Sequence, residues 1–154
     1  MTIEYMTAVK DNLKINNFIN RGFSEEKIQK IESEYNKGNK FPKAFREFLY
    51  LAGDFNNFGF DDIEGILKLQ ELAKEELEIT GAKIERPFFA FHQLSGCEYF
   101  TFIYLDENTA DPKTYICSPY YKSTPGEEFI KYNGFTFTAL VNESIHRVKN
   151  NIPF

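Results

Sequence analysis

The chain has 154 residues and a formal net charge of −5, from 18 basic and 23 acidic side chains. This length favours one domain spanning 1–154 with a single sizeable core, and an apolar share of 42% is typical of globular proteins. The negative balance repels phosphate backbones and disfavours nucleic acid as the main partner. It suits a basic protein partner, although a charge of this size is also common on small domains.

The sequence predicts a cytoplasmic protein. Its first residues show no basic region followed by an apolar core, so we expect no signal peptide. No run approaches the roughly 18 consecutive apolar residues that a membrane span needs. Cys97 and Cys117 are too few for a disulfide framework and too isolated for a zinc site. We therefore expect two reduced thiols, both in strands.

Helical patterns fill the first half of the chain. Residues 3–20 mix apolar and polar side chains in a loose helical spacing. A clearer helix begins after Ser24, which is a good N-cap, and Glu25 places negative charge in the first turn, where the helix dipole is positive. Gly38 is predicted to end this helix.

Two further helices follow. The first begins at Pro42, because proline lacks the N–H that would be unpaired at a first helical position, and it ends at Gly53. After a loop over 54–60, Asp61 or Asp62 is predicted to cap a helix that runs to about Gly81. The apolar stripe of the Pro42 helix consists of Phe45, Phe48, Leu49 and Ala52.

From Arg86 the apolar period changes to two residues. Residues 88–91, 97–105 and 113–118 are predicted strands separated by short turns, which is typical of an antiparallel meander. A last amphipathic helix begins near Phe137. The sequence therefore predicts an α+β fold in which helices pack on one face of a mainly antiparallel sheet.

The candidates for catalysis or metal binding are two histidines and one acidic cluster. His92 and His146 lack the spacing of metal ligands or of a base beside a nucleophile. Asp61, Asp62 and Glu64 form an acidic cluster, but they straddle a helix start, where acids stabilise the N-terminus. No glycine-rich phosphate loop is present. We therefore expect no enzyme, no cofactor and no bound metal.

Two adjacent tyrosines follow the third strand and form a candidate contact surface. Exposed tyrosine suits a contact because it offers area and one hydrogen bond at low entropy cost. The rings of Tyr120 and Tyr121 could equally cover the end of the sheet. The sequence leaves both interpretations open.

The order of motifs resembles the SUKH superfamily (Smi/Knr-like) over about 28–148. The segment 41–49 looks like the family's Leu-Pro-x-x-Tyr/Phe-x-x-Phe-Leu motif. The other matching pieces are Glu34-Tyr35, Leu51-Ala52-Gly53-Asp54, Phe89-Ala90-Phe91, Gly96 with the strand Tyr99-Phe100-Thr101-Phe102, and the helix after Phe135.

This resemblance implies an α+β fold, no catalytic residues and, in bacteria, neutralisation of a toxin that is often a nuclease. We hypothesise that the chain inhibits a basic toxin by occlusion, through an acidic and aromatic surface that includes Asp54, Asp61, Asp62, Tyr120 and Tyr121. The alternative is a regulatory or scaffold module that binds a cellular protein, a role also found in this family.

Overall fold

The computed structural model describes residues 1–60, 65–122 and 124–154. The elements within them are α1 (Thr7–Asp11), β1 (Lys14–Ile15), β2 (Phe18–Ile19), α2 (Glu25–Tyr35), α3 (Lys43–Ala52), α4 (Ile66–Thr80), β3 (Phe88–Leu94), β4 (Tyr99–Tyr104), β5 (Lys113–Cys117), a short 3-10 helix (Pro119–Tyr121), β6 (Ile130–Thr136) and α5 (Phe137–Lys149). Strands β1 and β2 form a hairpin, and a second, antiparallel sheet has the strand order β3-β4-β5-β6.

The helices begin where local capping chemistry favours it. The Ser24 hydroxyl accepts a hydrogen bond from the Lys27 N–H (3.1 Å), as expected of an N-cap. The Thr136 hydroxyl accepts one from the Ala139 N–H (3.2 Å) and starts α5 in the same way. At the other end of α4, Gly81 has the left-handed conformation that terminates helices (φ 70°). The predicted α2, α3 and α5 are confirmed by the structure.

The helical prediction for residues 3–20 is wrong beyond α1. Asn16 and Asn17 have positive φ values of 51° and 69°, which suits the two central residues of a tight hairpin turn. The side-chain amide of Asn57 donates to the carbonyls of Asn12, Leu13 and Phe18. A residue about 40 positions away therefore holds the hairpin, and local periodicity carries no sign of it.

The predicted meander is confirmed as β3, β4 and β5, each antiparallel to its neighbour. Cys97 lies in the turn before β4 and not in a strand. The sequence interpretation missed β6, the outer strand on β5. Lys113 pairs with Thr136 while Tyr115 pairs with Tyr132, so β6 bulges between them. A bulge on an edge strand disfavours pairing with other chains.

A cluster of phenylalanine rings fills the core between the helices and one sheet face. Phe45, on α3, is completely buried. Its ring centroid lies 5.3 Å from that of Phe89 on β3 and 5.4 Å from that of Phe137 at the start of α5. The helices α1, α2, α3 and α5 all contribute to this core. The α+β class with a mainly antiparallel sheet is confirmed.

Helix α4 lies differently from the other helices. Its residues Leu69, Ala73 and Leu77 pack with Phe100 and Phe102, which alternate with core-facing Ile103 and so project from the opposite sheet face. This helix thereby covers part of the second face. Asp61 and Asp62, predicted to cap it, lie outside the described residues; the described helix begins after Gly65.

Gln70, on α4, covers the open edge of β3. It is buried, and its Oε1 accepts a hydrogen bond from the Ala90 N–H (2.7 Å) while its Nε2 donates to the Phe88 carbonyl (3.1 Å). One side chain thus satisfies two edge groups of the sheet, which would otherwise be buried without a partner.

Replacing Phe48 with Ala should lower the free energy of unfolding by about 3–5 kcal/mol, because its ring is 1% exposed and a cavity would remain. Urea unfolding of both forms measures the difference. Phe154→Ala, which removes a 75% exposed ring, is the matched control and should cost under about 0.5 kcal/mol. A loss below about 1 kcal/mol for Phe48 would contradict the position assigned to this helix face.

Replacing Gln70 with Leu should cost about 2–4 kcal/mol, because the Ala90 N–H and the Phe88 carbonyl would lose their partner. Urea unfolding measures this loss of free energy of unfolding, and amide hydrogen exchange at Ala90 should accelerate. The same substitution at exposed Gln29 on α2 is the control. Equal effects at the two glutamines would contradict the edge-capping role.

Candidate partner-binding surface

The two predicted contact tyrosines lie on the short 3-10 helix after β5. The Tyr120 side chain is 52% exposed, and its hydroxyl donates to Glu76 Oε2 on α4 (2.7 Å). Tyr121 is half-buried; its hydroxyl lies 2.8 Å from that of Tyr99 on β4, and the two rings meet edge to face. Tyr121 therefore covers the end of the sheet, whereas Tyr120 presents its ring to solvent.

Lys122 fixes this segment to the end of α4. Its ammonium donates to the carbonyls of Gly81 (2.6 Å) and Thr80 (3.4 Å). A cation at the carboxyl end of a helix satisfies unpaired carbonyls and interacts favourably with the helix dipole. The backbone that carries Tyr120 and Tyr121 is consequently held at the end of α4 as well as at β5, which it follows in the chain.

Carboxylates surround these tyrosines. The hydrogen bond to Glu76 raises the pKa of Tyr120, and the charge of Glu98 raises it further. The hydrogen bond with Tyr99 raises the pKa of Tyr121, and the charges of Glu127 and Glu98 add to the effect. We call Tyr99, Tyr120, Tyr121, Glu76, Glu98 and Glu127 the acid–tyrosine surface. Its negative potential comes from α4, from the turn before β4 and from the segment before β6.

A cavity of about 420 Å³ opens beside this surface. It lies where the sheet extends beyond the phenylalanine core. The residues that line it are Tyr99, Ile116, Ser118, Tyr121, Gly126, Glu127, Glu128 and Lys131.

Asp54, the third predicted contact residue in the described chain, belongs to a different neighbourhood. Its carboxylate forms an ion pair with Arg21 (3.1 Å), and both side chains are more than half exposed. The Arg21 guanidinium lies 5.2 Å from the centroid of the Phe55 ring, which contacts Phe18 of the hairpin. The structure thus places Asp54 beside the hairpin, apart from the acid–tyrosine surface. Asp61 and Asp62 lie outside the described residues.

A row of tyrosines, missed by the sequence interpretation, crosses the part of the second sheet face that α4 does not cover; Tyr104 in this row is buried, whereas Tyr132 is exposed. Tyr104, Tyr115 and Tyr132 lie side by side on β4, β5 and β6, with ring centroids 4.8 and 6.0 Å apart. Burial and a hydrogen bond to Glu107 raise the pKa of Tyr115 to about 12. We call these three residues the tyrosine row. Alternation along the strands could have suggested it, but only the register brings the three rings together.

The side chains that could serve in catalysis or metal binding lie in different parts of the fold. His92 lies on β3 and the exposed His146 on α5. Burial raises the pKa of the Cys117 thiol to about 12, which is the opposite of the lowered pKa that activates a thiol nucleophile. Across residues 1–60, 65–122 and 124–154, no group of three His, Cys, Asp or Glu side chains is placed to hold a metal ion. None of the described helices is long and apolar enough to cross a membrane.

Comparison with known proteins identifies the family. No curated protein and no solved structure matches the chain. The model of the SMI1 / KNR4 family (SUKH-1) matches residues 22–142, from the loop before α2 into α5. This range contains the Phe41–Leu49 segment and the β3–β4 meander that carried the resemblance, and it covers most of the chain. The protein therefore belongs to the SMI1 / KNR4 family of the SUKH superfamily.

Proposed function

We propose that this chain is a non-catalytic, cytoplasmic immunity protein that binds a cognate toxin domain and neutralises it by occlusion. Family membership is consistent with this role. The observation that carries the proposal is the acid–tyrosine surface, because it combines exposed aromatic area with carboxylates from three separate segments.

Tyr120 is the proposed anchor of the contact. Its ring is exposed, yet its hydroxyl is held by Glu76, and the following Lys122 is tied to the end of α4. A ring that is already oriented loses little conformational freedom on binding. Tyrosines of this kind are frequent among the few residues that dominate interface energetics.

The carboxylates indicate the kind of partner. Glu76, Glu98 and Glu127 lie close enough to the tyrosines to raise their pKa values. Such a negative potential favours a basic surface, speeds its association and disfavours acidic competitors. A basic nuclease domain would present such a positively charged surface. Asp54, Asp61 and Asp62 remain predicted contact residues.

Tyr120→Ala should accelerate dissociation from the toxin domain by about fivefold or more, because the anchor is lost. The measurement uses the purified full chain and a candidate toxin domain encoded by a neighbouring gene, with surface plasmon resonance and survival of co-expressing cells as readouts. Tyr132→Ala in the tyrosine row removes a ring of similar exposure (47%) and is the matched control. A larger effect at Tyr132 would contradict the role of Tyr120 and indicate that the partner binds the tyrosine row.

Glu98→Lys should slow association, most strongly at low salt, since screening removes steering at higher ionic strength. Glu26→Lys on α2, which makes the same charge change at an exposed site, should slow it less. Binding to a cellular protein without protection from the toxin would favour the regulatory or scaffold role instead. Turnover of substrate by the purified chain would contradict both binding roles.

A further inference from the structure

We propose that the 420 Å³ cavity beside the acid–tyrosine surface is a socket for one arginine side chain of the basic partner. This inference rests on the proposed function and deepens it, because it assigns a particular side chain of the partner to a particular site. The volume lies within the range of about 300–1,000 Å³ that is usual for binding pockets.

The sheet forms the floor of this socket. Ile116 pairs with Thr101 on one side and with Lys131 on the other, so these residues and Tyr99 share one face of the sheet. It is the face that carries Ile103 and the phenylalanine core. None of the described residues that line the cavity belongs to helices α1 to α5, and the segment after β5 forms its opposite wall.

The aromatic wall suits a planar cation. Tyr99 and Tyr121 meet edge to face with ring centroids 5.8 Å apart, and their hydroxyls share one hydrogen bond. Two hydroxyls hold two protons, so one O–H and further oxygen lone pairs remain available. A guanidinium can stack on a tyrosine ring and donate to such an oxygen.

The charges at the rim select a cation. Glu127 and Glu128 are exposed, and neither forms an ion pair with the residues that the structure describes. Lys131 contributes one positive charge to the lining, which leaves the socket with a net charge of −1 (two carboxylates and one ammonium). A guanidinium can form bonds with both carboxylates because its five donors form a fixed fork. Lys131 opposes this binding by like-charge repulsion.

The test titrates the full chain with N-acetyl-L-arginine amide and follows amide chemical shifts. Saturable shifts are expected at Tyr99, Ile116 and Tyr121. The matched ligand, N-acetyl-L-citrulline amide, has the same shape without the charge and should bind at least about fivefold more weakly. No saturable shifts, or equal binding of the two ligands, would overturn the proposal.

Substitutions at the rim give effects of opposite sign. Glu127→Gln and Glu128→Gln should each weaken binding of the arginine amide by about two- to fivefold, whereas Lys131→Gln should strengthen it by a similar factor. These side chains are exposed, so folding should be unaffected. Glu26→Gln on α2 is the control and should change nothing. Weaker binding by Lys131→Gln would contradict the proposal that the charges of the lining select a cation.

The same variants separate this proposal from the proposed function. If Glu127→Gln and Glu128→Gln bind the toxin domain as tightly as the unmodified chain does, the socket is wrong and the immunity role stands. If the unmodified chain binds no toxin domain but still binds the arginine amide, the proposed function fails while the cation site remains.

Discussion

The ring of Phe45 is the contact on which the rest of the structure depends. It is fully buried on α3 and touches the rings of Phe41, Phe89 and Phe137. These contacts join the segment before α3, the first strand of the main sheet and the start of α5. A chain without tryptophan reaches its core volume through many phenylalanines, whose edge-to-face contacts also fix how the elements are oriented.

Buried polar side chains anchor chain segments that lie outside the helices and strands. Glu47 is fully buried on α3 and accepts backbone N–H groups from Glu4 and Tyr5. Glu32 on α2 accepts the Phe41 N–H (2.6 Å) and the Arg46 guanidinium (3.0 Å). A buried carboxylate is tolerated only when its oxygens are satisfied in this way. The same α3 helix thus supplies both the apolar core and the anchor of the N-terminus.

The candidate binding surface lies at the edge of this rigid frame. Tyr99 belongs to a paired strand, Glu76 belongs to α4, and Tyr120 and Tyr121 lie on the segment that joins β5 to β6. Loops carried by a packed scaffold can change in sequence without loss of the core. This division suits the proposed role, in which a packed scaffold carries the surface that binds the partner.

The sequence by itself determined the elements whose signals are local. The spacing of Phe45, Phe48 and Leu49 fixed the buried face of α3, Ser24 fixed the start of α2, and the change to period two fixed β3 to β5, because these signals depend on neighbouring residues alone. It also placed Tyr120 and Tyr121 next to the sheet. Only the tertiary structure decided that residues 14–19 form a hairpin, which Asn57 holds from the α3–α4 loop. It also gave Tyr120 its partner Glu76, 44 positions away, and left Asp54 beside Arg21. Such contacts join residues that are far apart in the sequence, and no local pattern encodes which of them meet.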